Sequence, residues 1–595
     1  MDAAAPELRL AGGALELVAA VCRLRQGDKV VEAAGDRWST EDGGLVCDAG
    51  PLRIRVGLRW GRRRLDLRLT ARAAAAAEVL AIGLSFRPAI AGGFPNWVVY
   101  DGYQSWDSAG ILPWDAAPTS WWRCGLADSA GSGVALTALS AARHATRFDL
   151  GPDEVRWLQV APPAGGGDQP VWRTATTPNF EAEPLRLAAG PDVRELLAAS
   201  LPKLARTSGA PPRGWLSWYH LGIWVDAAAV LANSALLAEG AAGDLRPAVV
   251  QIDDGWQIAY GDWRPNTKFP DLASLCAELG RRRQVPGIWT APFLVSAGAD
   301  LAGTAPEAWF LRDPASGERL VDQQHTVFGP MYVLDPREAG VRRHLTAVFR
   351  ELRQLGFRYF KIDFLYAGAY SGLPAFRQAL QAIRRGTGTD AYLLACGAPA
   401  LPVAGLVDGC RIGPDTCTPW PDLTTGEPQP TFFGDEVRNV IRNVAAHADL
   451  ARWFQTDPDV AVAGGTLSLG RARQLLTAVA LCGGLYFVSD DLRVLDPERL
   501  ALVANPALAA IAAGGPARPD WEPEAGDLPP RTWRRVQDLV AVFNFGRNRF
   551  EHRIDVPGGR LAHDVWSGEQ LRARQGAVKV SVGPDDVCLI RFDPS

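Results

Sequence analysis

The sequence predicts a multidomain α/β protein: a central (β/α)8 TIM barrel, an N-terminal β-sandwich domain and a small C-terminal β-sandwich domain. Three observations carry this. A chain of 595 residues exceeds what one hydrophobic core serves, so it divides into two or three domains. Strands with strict polar/apolar alternation fill both ends, and β-branched or aromatic runs alternating with Ala/Leu/Arg-rich helical stretches fill the middle.

From about residue 8 to 200, short apolar runs are broken by Gly, Pro and Asp. Leu52-Arg53-Ile54-Arg55-Val56-Gly57-Leu58-Arg59-Trp60 shows the period of 2 that puts one face of a strand inward. Residues 1–205 are therefore expected to form the sandwich, ending in a hinge at Ser208-Gly209-Ala210-Pro211-Pro212. The barrel is expected over 206–515. Its strands are predicted at Arg213–Trp218, Ala248–Ile252, Pro286–Ala291, Arg358–Asp363, Tyr392–Ala395, Cys410–Ile412, Ala451–Gln455 and Leu485–Ser489, with helices over Val341–Leu355, Leu373–Arg385 and Arg471–Leu481. Alternation returns in Leu539–Phe545 and Val587–Phe592, which predicts an antiparallel β domain over 516–595.

Composition narrows the partners. The net charge is -4 and no Lys/Arg-rich run is present, which argues against nucleic acid and for a small neutral substrate. No apolar stretch reaches the roughly 18 residues of a membrane span, and the first residues lack a secretory pattern, so a cytoplasmic protein is expected. Nine cysteines without a CxxC pair point to reduced thiols, and seven scattered histidines give no metal motif. No metal and no cofactor are expected.

Chemistry in such a barrel sits at the C-terminal strand ends. Asp253-Asp254 follow the second strand, Asp363 ends the fourth, and Asp415 follows the sixth. One such Asp reads as a helix N-cap; the recurrence beside aromatics favours a site. Lys361 shares a face with Asp363 by the period of 2 and favours its ionised form, as suits a nucleophile. It is one of only five lysines. Arg411 and Asp415 flank the rigid turn Gly413-Pro414. Trp215, Trp218 and Tyr219 at the first strand, Trp256, Trp289 and Trp453-Phe454 together favour a sugar-binding pocket, although each alone reads equally well as core.

These motifs resemble glycoside hydrolase family 36, of the clan that groups α-galactosidases and α-N-acetylgalactosaminidases. The resemblance runs through Gly214–Tyr219, Gln251–Gln257, Gly287–Phe293, Tyr359–Phe364, Arg411–Thr416 and Asp490-Asp491, with Asp101–Trp106 in the N-terminal region. It implies a retaining enzyme with Asp363 as nucleophile and Asp415 as general acid/base, their carboxyls about 5–5.5 Å apart. It further implies that Asp253 and Asp254 bind the 4- and 6-hydroxyls of galactose, that Lys361 and Arg411 hold other hydroxyls, and that Trp289 lies beside the ring. Trp218, Tyr219, Cys396 and Trp106 are implied to line the pocket, Cys396 on the 2-hydroxyl side. The alternatives are a galactosyltransferase of the raffinose-synthase kind, an α-N-acetylgalactosaminidase and a non-catalytic sugar-binding protein.

Overall fold

A computed structural model describes all residues except 1–6, 11–12, 91–92, 117–118, 164–168, 178, 203–208, 325–328, 417–434, 522–528, 537 and 594–595. The boundary expected at 205/206 and Ser208 of the expected hinge lie outside the described residues.

The N-terminal strands form two antiparallel sheets. One orders Glu7–Leu10, Gly13–Gln26, Glu78–Ala89, Val155–Val160, Ala145–Leu150 and Ser120–Trp121; the other includes Trp97–Tyr100, Arg123–Ala127, Gly133–Ala138, Leu185–Gly190, Arg64–Ala73 and Leu52–Trp60. In Leu52–Trp60 the alternation is realised, with Leu52, Ile54 and Val56 buried and Arg53 outward. One core takes Leu17, Leu84, Phe86 and Trp157 from the first sheet and Ile54, Leu67, Leu136 and Leu187 from the second, so the sheets pack face to face.

The central sheet is parallel. Its strands are β1 (Arg213–Leu216), β2 (Ala248–Ile252), β3 (Val285–Thr290), β4 (Tyr359–Ile362), β5 (Tyr392–Ala395), β6 (Gly409–Arg411), β7 in two pieces (Gln455–Asp457 and Val460–Ala461) and β8 (Tyr486–Val488). Each pairs with the next in chain order; the first piece of β7 pairs with β6 and the second with β8, which also pairs with β1. The sheet therefore returns on itself. The helix Ala339–Leu355 buries Val341, Leu345, Phe349 and Leu352, the inward stripe of a 3.6-residue period.

One expected strand is corrected. Of the residues expected as strand Ala451–Gln455, Ala451 and Arg452 instead end the 3-10 turn Ala448–Arg452, Trp453 and Phe454 follow it, and β7 begins only at Gln455. Trp453 and Phe454 thus precede the strand, buried in the core. Pro458 then interrupts β7, since it has no N–H for the ladder, and Asp459 adopts φ 79°.

At the C-terminus, Thr532–Arg535, Leu539–Asn544, Asp586–Phe592 and Ala562–Asp564 pair antiparallel, and Phe550–Asp555 pairs separately with Ala577–Val582. Val540, Val542, Ile554, Val578 and Ile590 form a core between these sheets. Trp533, Ala541, Phe543 and Leu589 join the barrel's core instead, which explains why Leu539–Asn544 is buried on both faces. Among the described residues no helix is long and apolar enough to cross a membrane.

Candidate active site

The carboxylates that follow the barrel strands are brought together by one another's partners. Asp253, 2 % exposed, accepts from Lys361 Nζ at 3.1 Å and from Gln251 Nε2 at 2.5 Å, and its backbone N–H donates to Ser217 Oγ at 3.0 Å. Lys361 reaches across β3 to do this. Asp254 accepts from Gln257 Nε2 and from the Tyr260 hydroxyl, each at 2.5 Å. The turn is fixed by Gly255, at φ 111°, where a Cβ would meet the Ile223 backbone at 2.7 Å. Burial pushes Asp254 up to about 6, against the two donors that favour its ionised form.

Asp363 follows β4. Its Oδ2 accepts from Trp289 Nε1 at 3.0 Å and its Oδ1 from the Phe364 N–H at 2.8 Å, so both oxygens are aimed by donors on rigid backbone or ring. Phe364 takes a left-handed φ of 52° that turns its N–H back to the acid. Lys361 Nζ lies 3.9 Å from Asp363 Oδ2. The expected same-face pairing is therefore present, but the nearer partner of the lysine is Asp253. Burial acts to lower the Lys361 ammonium's pKa; Asp253, Cys396 and Asp363 outweigh it, so the net direction is upward. It remains charged.

Arg411, at the end of β6, donates from Nη2 to Asp415 Oδ1 at 2.7 Å and to the Tyr219 hydroxyl at 3.2 Å. The sequence reading missed a third group here. Asp459, in the break of β7, lies with Oδ1 2.8 Å from Arg411 Nη1, an ion pair without hydrogen-bond alignment, and accepts at Oδ2 from the Thr416 N–H at 2.6 Å and from the Tyr219 hydroxyl. The only local signal for it was Asp457-Pro458-Asp459, which reads as a turn. Tyr260 and Gln257 were missed likewise, being legible only once Asp254 is folded beside them.

Cys396 follows β5, fully buried. Burial pushes its thiol well up, and Asp363 and Asp415 add to this, so both acids lie within electrostatic reach of one side chain. The adjoining segment docks the N-terminal strands: Ser105 N–H donates to Ala398 O at 3.2 Å, and Gln104 Nε2 to Gln324 Oε1 at 3.2 Å. Trp106, half-buried, sets its ring edge-on to Phe364 at 5.2 Å and to Tyr366 at 5.9 Å. It thus lies beside the residue that follows Asp363.

The other tryptophans divide. Trp289 serves Asp363, whereas Trp215, Trp256 and Trp453 give their N–H to backbone carbonyls of Asp490, Trp289 and Pro202, the pattern of satisfied core indoles. Trp218 packs half-buried against the barrel core. The eight described cysteines are all free. Among the described residues no group of three or more His, Cys, Asp or Glu side chains is arranged to hold a metal ion.

A cleft of about 980 Å³ lies elsewhere, on the N-terminal sheets over Trp172 and Phe180. Its arginines are already engaged, Arg53 by Glu41, Arg72 by Asn179 and Arg143 by Glu181. The clustered carboxylates, not cavity size, locate the chemistry.

A parallel barrel with carboxylates, a charged lysine and a charged arginine at its strand ends carries the groups that glycoside hydrolysis requires. No protein-family model matches the chain. Among solved structures it is similar to the α-galactosidase TtGalA from Thermus thermophilus in complex with p-nitrophenyl α-D-galactopyranoside, at 26% identity over 89% of this chain and 98% of that one, with a TM-score of 0.62. The family 36 α-galactosidase AgaA from Geobacillus stearothermophilus matches 100% of this chain and 90% of its own at 12% identity and TM-score 0.57, a likeness of fold. A family 27 β-L-arabinopyranosidase from the same organism shares the fold over 65% of this chain and 97% of that one, at 17% identity and TM-score 0.50. The likeness to α-galactosidases bears out the resemblance read from the motifs.

Proposed function

We propose that the chain is a retaining, exo-acting α-galactosidase that removes terminal α-D-galactosyl residues from small oligosaccharides such as melibiose and raffinose. The observation that carries this reading is the Asp363 carboxyl, held on both oxygens by Trp289 and Phe364 and flanked by Lys361, with Asp253 and Asp254 after β2 and Asp415 beyond β6. Asp363 attacks the anomeric carbon; the bond to the leaving oxygen breaks, and that oxygen takes the proton of Asp415. Asp415 then removes a proton from water, whose oxygen bonds the anomeric carbon as the ester to Asp363 breaks. Asp253, Asp254, Lys361 and Arg411 hold the sugar hydroxyls, with Trp289, Trp218, Tyr219, Cys396 and Trp106 around them. Catalysis belongs to residues 206–515, between β domains at 1–205 and 516–595.

A panel of aryl glycosides tests the reading: α-galactoside is expected to be cleaved faster than α-N-acetylgalactosaminide or β-L-arabinopyranoside, and preference for either of the others contradicts it. Free galactose as the main product at high raffinose marks hydrolysis rather than transfer.

A pH dependence follows from Asp254. Both its oxygens are already acceptors, so a proton must displace a donor, and this occurs below about 6. Galactose is expected to bind progressively more weakly as pH falls through that value, approaching about tenfold per pH unit well below it. Inhibition constants for galactose across this range check it; a constant value contradicts the role of Asp254.

A further inference from the structure

One buried carboxylate of the site has no part in the scheme above. Asp459 is 1 % exposed, and a charge so placed is costly unless it is used. Its carboxylate partners lead to Asp415. Arg411 stands between the two carboxylates, with Nη1 2.8 Å from Asp459 Oδ1 and Nη2 2.7 Å from Asp415 Oδ1, and the Thr416 N–H that Asp459 holds belongs to the residue after Asp415.

We propose that Asp459 is a positioning residue for the proton-donating step: it cancels the charge of Arg411 and pins the backbone beside Asp415, so that Asp415 holds the proton it must deliver. This rests on the reading of Asp415 as acid/base.

The electrostatic argument is one of sign. An arginine hydrogen-bonded to a carboxyl by itself favours the ionised form, the wrong direction for an acid. With Asp459 added, two carboxylates share one guanidinium, the group is net negative, and it takes up a proton more readily. Burial pushes Asp459 up to about 7, with Arg411 opposing and Asp415 and Asp457 adding to the rise. The groups that bear on it are Arg411 from β6, Asp415 beyond it, Asp457 from β7, Lys361 from β4 and Tyr219 from the helix after β1.

Hydrogen bonds decide which carboxyl keeps the shared proton. Asp459 Oδ2 accepts from Thr416, whose donor is backbone, and from Tyr219, whose oxygen already accepts from Arg411 and whose one proton therefore points to Asp459. Both donors favour ionised Asp459. Asp415 is the more exposed of the two, with a side chain 30 % accessible, and is the one open to a glycosidic oxygen. When Asp415 passes that proton to the glycosidic oxygen as the carbon–oxygen bond breaks, its new charge falls on the Arg411 hydrogen bond.

The test compares melibiose, whose leaving oxygen needs a proton, with 2,4-dinitrophenyl α-galactoside, whose leaving group does not. For Asp459→Asn, kcat/KM on melibiose is expected to fall by about 30-fold or more and on the aryl substrate by less than about threefold, with the basic limb of the melibiose profile about one pH unit lower. Equal losses on both with the limb unmoved would mark a purely structural residue and overturn the inference. Tyr219→Phe, which removes one donor to Asp459 without a change of shape, is expected to show the same selective loss in smaller degree and serves if the Asn variant does not fold; loss without selectivity there overturns the inference equally. Asp415→Asn is the control. If it shows no selective loss, the acid/base reading fails and takes the inference with it; if it does and Asp459→Asn does not, the inference alone fails.

Discussion

If Asp363 is the nucleophile as proposed, replacing its carboxylate with hydrogen, in Asp363→Gly, is expected to cut turnover of an aryl α-galactoside by at least about 10⁴-fold, because the group that forms the glycosyl ester is removed. The donors that hold the carboxylate, Trp289 Nε1 and the Phe364 N–H, remain in place and leave a cavity the size of the lost group. Azide entering that space attacks from the face opposite the leaving group. Activity is therefore expected to return in part with azide, giving β-galactosyl azide. Retained activity without azide contradicts the assignment, and so does α-galactosyl azide as the product.

The largest effect on stability is expected at the seam between the N-terminal sheets and the barrel. Arg123, in an N-terminal strand and 2 % exposed, pairs with Asp101 of its own sheet region and with Asp449 of the turn before β7, and donates to Ala446 O at 3.0 Å. Burial alone would lower its pKa; the two carboxylates outweigh that and keep it charged. His447 Nε2 lies 3.6 Å from Asp101 on the same seam. Truncation in Arg123→Ala strands two largely buried carboxylates and is expected to destabilise the protein by about 3–5 kcal/mol. A urea titration followed by tryptophan fluorescence reads this as an earlier first transition. An unmoved transition contradicts a role for this ion network in joining the N-terminal sheets to the barrel.

The elements most legible in the sequence were those whose pattern is local. Seven of the eight barrel strands were readable as short β-branched, aromatic or otherwise apolar runs between helical stretches, and the helix over 341–355 because its apolar residues recur every three or four positions. The seventh strand was misplaced because the apolar pair Trp453-Phe454 imitates a strand, while Pro458 splits the real one.

Within the site, the period of 2 correctly set Lys361 beside Asp363, but it could not foretell that Lys361 would spend its hydrogen bond on Asp253, two strands away. The same limit explains the tryptophans. Which of them is core depends on where an indole N–H ends, and the carbonyls that hold Trp215, Trp256 and Trp453 come from other elements. Asp459 was missed for a related reason: Asp-Pro-Asp specifies a turn, and only the closure of β7 against β6 brings its carboxyl to Arg411. Trp106 was assigned from resemblance alone; the Ser105–Ala398 bond that carries it to the barrel has no local signature.

The measurement that bears most directly on the central claim is covalent trapping with a fluorinated galactosyl donor that forms the intermediate faster than it breaks down, followed by peptide mass analysis. One label on the peptide containing Tyr359-Phe360-Lys361-Ile362-Asp363-Phe364, at Asp363, is the predicted result. A label on any other carboxylate, Asp415 or Asp459 included, or turnover with no covalent intermediate, would contradict it.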